Sequence, residues 1–344
     1  MDYLVSCIAG LEHLVAELVQ RDLEHTSLTR VEAGLVSISG RFPPGSLASL
    51  SYVNNSFAVL RSFDHGNIDS VLRQLVRDRT WVALARRALG KARRFRLMLS
   101  NENHLVGGDP HARGEVIGAI ETNCSVSYAP RGGGAEFWLL RRRSGSVHFC
   151  IRVSRRTATE KTLAQGELRP ELAELLCELS EPTADDVFLD PFAGSGAIVF
   201  ARTRRPYNLA FAFDQDVDKS RAIRQRVKEL KRKGMLRGGP IVARSEDARA
   251  MASFEDGFVH RVVTDPPWGH FSNETWDLRS LYKAIMGEFT RVTRVGGIVV
   301  LLLGRTEEAE HVVAAAHRGL DFDSRVDILV SGKKAIIARW RRQA

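Results

Sequence analysis

The feature that most constrains the fold of this chain is a regular alternation of short apolar runs and amphipathic runs from Asp186 onward. Alternating strands and helices predict a mostly parallel sheet covered by helices, because parallel neighbours need a crossover connection. Only Ser331 and Gly332 separate the last two apolar runs, which predicts an antiparallel hairpin at one edge. Seven strands are predicted, at 187–190, 209–213, 241–243, 261–264, 298–303, 325–330 and 335–340. Helices are predicted at 218–233, 278–292 and 307–319.

Residues 1–160 show a different pattern, that of an α+β region. Apolar residues repeat at helical spacing from Leu11 to Val19 and again from Ile68 to Val76. Segments 136–142 and 147–153 are apolar runs joined by a short glycine-containing turn, which predicts a hairpin. A helix that joins the two halves is predicted to begin near Arg169-Pro170, because proline suits a first helical turn.

Composition sets further limits. Hydrophobic residues make up 44% of the chain and charged residues 26%, which excludes wholesale disorder. The longest aliphatic run, 298–303, is too short to cross a bilayer, and the start of the chain does not look like a signal peptide. The four cysteines lie far apart, which predicts buried thiols in the reducing cytoplasm and no metal site. We expect a cytoplasmic, monomeric protein.

The sharpest local motif is Asp190-Pro191-Phe192-Ala193-Gly194-Ser195-Gly196, directly after a predicted strand. Gly194 and Gly196 allow a tight turn and a close approach by a ligand. The helix that follows would direct free N–H groups at a carboxylate, and Asp190 would accept hydrogen bonds from a cationic amine. This combination suits an amino-acid zwitterion, such as the methionine part of S-adenosyl-L-methionine. A dinucleotide is disfavoured, because Asp190 would repel a pyrophosphate and the spacing is not GxGxxG.

Two further acidic segments follow the next two predicted strands. Asp214, with Gln215 beside it, comes at the end of the second strand, where a carboxylate can accept both ribose hydroxyls of an adenosine. Asp216 is expected to cap the next helix, and the same helix-start role is the competing interpretation for Asp214. Asp247 and Ala248 follow the third strand, where the carboxylate would meet the adenine amino group. Three strand ends would then line one crevice, as expected in an open α/β sheet.

The fourth strand runs into Asp265-Pro266-Pro267-Trp268-Gly269. Consecutive prolines stiffen this turn and hold the acceptor groups of Asp265 and Pro266 in place, while Trp268 adds a flat apolar face. These groups suit the exocyclic amine of a nucleobase, whose N–H groups would donate to the Asp265 carboxylate and the Pro266 carbonyl. Such bonds aim the nitrogen lone pair at an incoming methyl group and require no metal. The competing interpretation is a rigid loop around a buried tryptophan.

Together these motifs resemble those of the class I S-adenosylmethionine-dependent amino-methyltransferases, whose target motif is [DN]PP[YFW]. The run Gly166-Glu167-Leu168-Arg169-Pro170-Glu171-Leu172-Ala173 is similar to the linker helix of RNA methyltransferases with an N-terminal THUMP domain. Gly10-Leu11-Glu12 resembles part of their ferredoxin-like domain. The likeness is strong over 160–344 and weak over 1–160, and it is closest to the tRNA guanine-N2 methyltransferases that modify guanosine 6 in the acceptor stem.

The resemblance implies a layout and a set of roles. It implies a ferredoxin-like domain at 1–60, a THUMP-like RNA-binding domain at 61–157, a linker helix at 158–183 and an α/β Rossmann-like methyltransferase domain at 184–344. It implies cofactor contacts for Asp190, Phe192, Ala193, Gly194, Ser195, Gly196, Asp214, Gln215, Asp247, Ala248 and Asp265. Asp265, Pro266 and Trp268 would hold the target base. Trp268 stands where such tRNA enzymes often have tyrosine or phenylalanine.

The charge of the chain favours RNA as the partner. It carries 50 Lys and Arg against 41 Asp and Glu, a net charge of +9. Residues 1–160 hold 21 basic and 15 acidic side chains, and residues 161–344 hold 29 and 26, so most of the excess lies in the first segment. A domain that grips phosphates would need this bias. The predicted RNA contacts are Arg86, Arg87, Lys91, Arg93, Arg94, Arg96, Arg141, Arg155 and Arg156.

Three alternatives remain open from the sequence. One keeps the chemistry and methylates guanine-N2 or adenine-N6 in ribosomal RNA, because the motif recognises an amino group and not its ring. Another is a catalytically silent RNA-binding protein that retains the cofactor fold, although Asp190, Asp265 and the two loop glycines argue against it. The third, a nicotinamide oxidoreductase, has no use for the motif at 265–268.

Overall fold

Two β-sheets organise the chain, one in each half. The computed structural model describes residues 1–131, 134–154, 167–236, 238–269 and 277–344. The chain divides into two units, Met1–Cys7 with Val15–Arg156 and Ile8–Leu14 with Thr157–Ala344. Within the described ranges, no helix is long and apolar enough to span a membrane.

The first sheet has nine strands among the described residues. They are β1 (Asp2–Ser6), β2 (Thr26–Glu32), β3 (Leu35–Gly40), β4 (Asn55–Phe63), β5 (Arg94–Asn101), β6 (His104–Leu105), β7 (Ser127–Tyr128), β8 (Ala135–Arg141) and β9 (Val147–Arg152). Their order is β2-β3-β1-β4-β9-β8-β5-β6, and β7 pairs with β5. The helices of this half are α1 (Glu12–Asp22), α2 (Ile68–Arg77), α3 (Val82–Leu89) and α4 (Pro110–Cys124), with a 3-10 helix at Pro44–Ser49.

The predicted hairpin of the first half is confirmed, since β8 and β9 pair antiparallel with Phe137 opposite Ile151. The sequence-based boundary between residues 60 and 61 lies inside β4. That strand pairs with β1 on one side and with β9 on the other, so one sheet runs across the boundary. The division into a ferredoxin-like and a THUMP-like domain stays a prediction.

The second half contains a seven-stranded mixed sheet. Its strands are β10 (Val187–Asp190), β11 (Leu209–Asp214), β12 (Ile241–Ser245), β13 (Val259–Thr264), β14 (Thr293–Gly304), β15 (Leu320–Val330) and β16 (Lys333–Arg342). The order is β12-β11-β10-β13-β14-β16-β15. Strands β10 to β14 pair in parallel, whereas β16 is antiparallel to both β14 and β15. The predicted parallel sheet with an antiparallel hairpin at one edge is confirmed.

Five helices accompany this sheet in the described residues. They are α5 (Pro170–Leu179), α6 (Ala197–Arg202), α7 (Val217–Arg232), α8 (Leu278–Val292) and α9 (Glu307–Ala314). The helix predicted at 307–319 was wrong at its C-terminal end, because α9 stops at Ala314. The chain turns there through Gly319, whose φ is +84°, and the ring of His317 bonds to the Val312 carbonyl. The helix itself ends because Ala315 already has an extended backbone, with ψ of 142°.

A buried ion pair lies at the start of β10. Arg202 and Asp186 are both 0% exposed, and Arg202 Nη2 lies 2.9 Å from Asp186 Oδ2. The same guanidinium donates to the backbone carbonyls of Thr183, Arg205 and Pro206. Burial of the charge is therefore compensated by an opposite charge and by several acceptors at once.

Replacing Arg202 by methionine would remove the closer of the two guanidinium groups beside the buried Asp186 carboxylate and leave only Arg261, whose Nε lies 3.7 Å from Asp186 Oδ1. We expect the free energy of unfolding of the second unit to fall by about 3–5 kcal/mol, measured by urea denaturation of the full-length protein. Arg221 is a matched control, since its ion pair with Asp218 lies on the surface. Arg221→Met should leave the unfolding transition almost unchanged, because exposed pairs contribute little. Equal effects of the two substitutions would contradict a special role for the buried pair.

Candidate active site

Four neighbouring strands of the second sheet end at one edge, and each ends beside an acidic residue predicted to bind the cofactor or the target. The strands β12, β11, β10 and β13 are parallel neighbours, so their carboxyl ends lie side by side. Asp190 and Asp214 are the last residues of β10 and β11, Asp265 directly follows β13, and Asp247 lies just beyond β12. Asp190 is close enough to both Asp214 and Asp265 for their charges to interact.

Asp190 is buried, and one of its two carboxylate oxygens accepts hydrogen bonds from the protein. Its Oδ1 accepts a hydrogen bond from the Thr264 hydroxyl at 2.7 Å and a longer one from the Phe192 N–H at 3.3 Å. Its Oδ2 is buried and has no hydrogen-bond partner among the described residues. A buried acceptor left open in this way fits a ligand that brings a donor. Thr264 was missed by the sequence reasoning, although a polar residue ending a buried strand is a signal that could have identified it.

The electrostatics of Asp190 favour a cationic ligand. Burial raises the pKa of Asp190 to about 7, and the carboxylates of Asp265 and Asp214 act in the same direction. Without a ligand this carboxyl group is therefore only partly ionised near neutral pH. An ammonium group at Oδ2 would supply the missing positive charge and hydrogen bond together.

The loop after β10 brings backbone groups to the same edge. Ala193 N–H donates to the Phe213 carbonyl at 2.8 Å, which ties the loop to the end of β11. Gly194 and Gly196 have φ values of +51° and +84°, a region that side chains other than glycine rarely adopt. A Cβ on Gly196 would also lie 2.7 Å from the Phe200 ring. Both glycines are thus required by the backbone conformation of this loop.

Asp214 is held in place by the glycine loop and by the N-terminal cap of α7, the helix that follows it. Its Oδ2 accepts the Gly194 N–H at 2.9 Å, and its Oδ1 accepts the Asp216 N–H at 3.0 Å. A carboxylate can accept about four hydrogen bonds, so both oxygens keep capacity for hydroxyl donors. Asp216 itself accepts from the N–H groups of Asp218 and Lys219, which confirms its predicted role as the cap of α7.

The remaining predicted cofactor residues differ in exposure. Gln215 and Ser195 are exposed, Phe192 is half-buried against the core, and Ala248 is buried within it. Asp247 is already bonded, because the Arg249 guanidinium lies 2.6 Å from its Oδ2 and lowers its pKa. An adenine amino group would share the Asp247 carboxylate with Arg249, a pairing that the sequence reasoning missed.

The turn at 265–268 is held by a hydrogen bond within the motif. Trp268 Nε1 donates to Asp265 Oδ1 at 2.8 Å. Asp265 is partly exposed, but the surrounding protein removes enough water to raise its pKa to about 7. Pro266 is buried, and Trp268 is half-buried. The acidic group and the flat ring that the sequence predicts for the target base are therefore adjacent.

Two residues outside the motif also support this turn. The Tyr282 hydroxyl, on α8, donates to the Pro267 carbonyl at 2.8 Å. Gly304 ends β14 against the Trp268 ring, and a Cβ there would lie 2.8 Å from three ring atoms. Neither residue was predicted, because only the folded sheet brings them beside the motif. A glycine closing a long apolar strand was the available signal for Gly304.

Comparison with known proteins shows which domain contains these strand ends. The family model "RMKL-like, methyltransferase domain" (UPF0020) matches residues 157–321. This segment matches a methyltransferase domain. Among curated proteins, none gives a significant sequence match. The methyltransferase match supports S-adenosyl-L-methionine as the cofactor, and the open Oδ2 of Asp190 and the spare acceptor capacity of Asp214 fit its ammonium and ribose groups.

Three solved structures show the same fold over nearly the whole chain. TrmN from Thermus thermophilus has a TM-score of 0.76 and 19% identity, covering 99% of this chain and 100% of that one. SMU.472, solved with SAH, has a TM-score of 0.69 and 15% identity, with coverage of 100% and 98%. A "predicted N6-adenine-specific DNA methylase" from Listeria monocytogenes has a TM-score of 0.69 and 18% identity, with coverage of 98% and 95%. The second half thus has a class I methyltransferase-like fold.

The residues predicted to contact RNA separate into three groups in the structure. Five are exposed, on or next to α3 and β5: Arg86, Arg87, Lys91, Arg93 and Arg94. Two are half-buried and bonded within the protein, since Arg96 pairs with Glu136 and Arg141 donates to Asn101 and the Gly66 carbonyl. Arg155 and Arg156, like the start of the predicted linker, lie outside the described residues.

The pKa of Asp190 predicts an unusual pH dependence of stability without ligand. Because this pKa is raised from 3.8 to about 7, the folded protein binds more protons than the unfolded chain between these values, and stability falls as pH rises. Asp190→Asn removes this cost, so the variant should gain stability over the wild type by up to about 4 kcal/mol between pH 4 and 8. Thermal unfolding at several pH values measures the difference.

The exposed Asp321 provides the control for this experiment. Asp321→Asn should leave the unfolding temperature nearly unchanged from the wild type at each pH, because substitutions at exposed positions have small effects on stability. A stability difference between Asp190→Asn and the wild type that stays constant from pH 4 to 8 would contradict the raised pKa.

Proposed function

We propose that this chain transfers a methyl group from S-adenosyl-L-methionine to the exocyclic N2 amine of a guanosine in structured RNA, at position 6 of the tRNA acceptor stem. The observation that carries the proposal is that two carboxylates in different environments lie at the ends of neighbouring strands. Asp190 is buried with one open oxygen, and Asp265 is partly exposed in a stiff turn beside a tryptophan. One suits the cofactor and the other suits an amine.

On the cofactor side, this chain supplies a charge and a hydroxyl acceptor. S-adenosyl-L-methionine, when bound, supplies an electrophilic methyl group. Asp190 Oδ2 would hold the ammonium of its methionine part, and Asp214 would accept its ribose hydroxyls. The hydrogen bonds from Thr264 to Asp190 and from Gly194 to Asp214 hold both carboxylates in place before the ligand arrives. Preorganisation of this kind reduces the cost of binding.

On the acceptor side, Asp265 Oδ2 and the Pro266 carbonyl would accept the two N–H groups of the target amine. These bonds keep the nitrogen lone pair out of the base π-system and direct it toward the methyl carbon. Transfer would break the carbon–sulfur bond, release S-adenosylhomocysteine and leave an extra proton on the nitrogen, which the Asp265 carboxylate, with a pKa of about 7, would take. The ring of Trp268 offers a surface on which a base flipped out of a stem would stack.

The RNA partner is supported by charge and by the motif resemblance. Arg87, Lys91, Arg93 and Arg94 are exposed and form no ion pair within the described ranges, so they are available to phosphates. Arg86 is exposed too, although its Nε is bonded to the Asn123 carbonyl. Arg96 and Arg141 are bonded to other residues of the protein, so we expect them to contribute less to RNA binding. The choice of tRNA and of position 6 follows the resemblance alone, whereas the cytoplasmic location follows the cysteine pattern of the sequence.

The product of the reaction tests the substrate. The protein would be incubated with tritiated S-adenosyl-L-methionine and, separately, with total tRNA, ribosomal RNA or DNA, and the nucleic acid digested to nucleosides. Labelled N2-methylguanosine from tRNA is the expected product. N6-methyladenosine, or label confined to ribosomal RNA or DNA, would overturn the proposed substrate. Failure to bind S-adenosyl-L-methionine in calorimetry would instead favour the silent RNA-binding alternative.

Asp265→Ala should abolish methyl transfer, with a loss of about 100-fold or more, because the acceptor for the amine is removed. Binding of S-adenosylhomocysteine should remain within a few-fold of the wild type, since Asp190 and Asp214 are untouched. Rates come from label incorporation into tRNA, and affinities come from calorimetry. Asp265→Asn, which keeps an acceptor oxygen but not the charge, should retain part of the activity. Turnover at the wild-type rate in Asp265→Ala would exclude this mechanism.

A further inference from the structure

The indole N–H of Trp268 has a partner that the stacking role does not require. It donates to Asp265 Oδ1 at 2.8 Å, the length of a hydrogen bond to a charged acceptor. The other oxygen, Oδ2, receives no hydrogen bond from any residue that the structure describes. The two oxygens of this carboxylate are therefore inequivalent before any substrate binds.

The indole ring is itself fixed by the sheet. Its Cγ, Cδ2 and Cε3 atoms would all lie 2.8 Å from a Cβ placed on Gly304, so the ring rests on the backbone at the end of β14. Gly304 in turn is paired with Ala335 of β16, in the interior of the sheet. The position of the N–H is thus set by a rigid strand and not by the loop alone.

The carboxylate is equally constrained. Asp265 is followed by two prolines, and the Tyr282 hydroxyl holds the carbonyl of the second at 2.8 Å. Gly269, with φ +76°, closes the turn against Leu278. The backbone around both the Trp268 indole and the Asp265 carboxylate is therefore held in place, which one side chain needs in order to orient another.

We propose that Trp268 is a positioning residue, whose indole N–H holds Oδ1 of Asp265 so that Oδ2 alone is presented to the amine of the target base. This role rests on the proposed function of Asp265. Phenylalanine at position 268 would keep an aromatic face but bring no N–H, and tyrosine would place its hydroxyl elsewhere. Tryptophan in this motif therefore does more than provide a ring for stacking.

The hydrogen bond also favours the ionised carboxylate. Among the described residues, the titratable groups of neighbouring elements that interact electrostatically with Asp265 are the Asp190 carboxylate on β10 and the Tyr282 phenol on α8. Burial favours the protonated acid, whereas the Trp268 N–H favours the anion. Removing the N–H should therefore raise the pH at which Asp265 becomes an effective acceptor.

The first test uses no substrate. In protein labelled with ¹⁵N at the tryptophan indoles, the Trp268 resonance is identified by its loss in Trp268→Phe. It should shift with pH through a midpoint near 7 and should stop shifting in Asp265→Asn. The Trp81 indole, which donates to the Leu75 carbonyl, serves as an internal reference. A Trp268 resonance that does not respond to Asp265→Asn would overturn the proposal.

The second test measures methyl transfer to tRNA against pH. Trp268→Phe should lower kcat about tenfold or more, leave the KM for RNA within about twofold, and move the acidic limb of the kcat profile to higher pH. Gly304→Ala, which displaces the ring but keeps the N–H, should produce the same shift. Trp138→Phe is the matched control, because Trp138 also donates to a carboxylate, that of Glu136, at 3.0 Å.

The outcomes separate the two proposals. An unchanged profile and kcat in both Trp268→Phe and Gly304→Ala, or the same change in Trp138→Phe, would overturn the positioning role. Absence of methyl transfer to any RNA by the wild-type protein would overturn the proposed function. In that case the indole titration would still decide whether Trp268 holds Asp265.

Discussion

The candidate site depends on one hydroxyl group between two strands. Thr264, at the end of β13, donates to Asp190 at the end of β10 and accepts the Phe192 N–H of the glycine loop at 3.2 Å. Pairing of Leu189 with Val262 sets the register of these strands, and a slip by one residue would turn the hydroxyl to the other face. The open oxygen of Asp190 and the placement of the Asp265 turn therefore both follow from strand pairing.

Much of this arrangement could be predicted, because it depends on local patterns. The alternation of apolar runs identified the parallel strands, and parallel strands end at one edge, so Asp190, Asp214 and Asp265 were expected there. The tertiary contacts that orient the side chains of the site could not be predicted. Thr264 reaches Asp190 across 74 residues, and Gly304 meets Trp268 only in the folded sheet. Such contacts have no periodicity in the sequence, and they arise only from tertiary packing.

The first half shows why counting charges is not enough. Its positive excess favoured a domain that grips phosphates, yet Arg96 and Arg152 both pair with Glu136 and Arg141 is bonded to backbone and amide oxygens. These guanidinium groups stabilise the sheet, and little of their charge is free to attract a polyanion. Of the predicted RNA contacts within the described residues, the exposed cations on and next to α3 and the start of β5 remain free for long-range attraction.

The contact between Gly304 and Trp268 links two positions that are distant in sequence. The indole occupies the space in which any larger side chain at 304 would lie, so the last residue of β14 limits which aromatic ring the turn can hold. A change at either position alone creates a clash or a void, whereas a paired change can preserve the packing. The identity of the residue at the end of β14 thereby limits which side chains position 268 can accept.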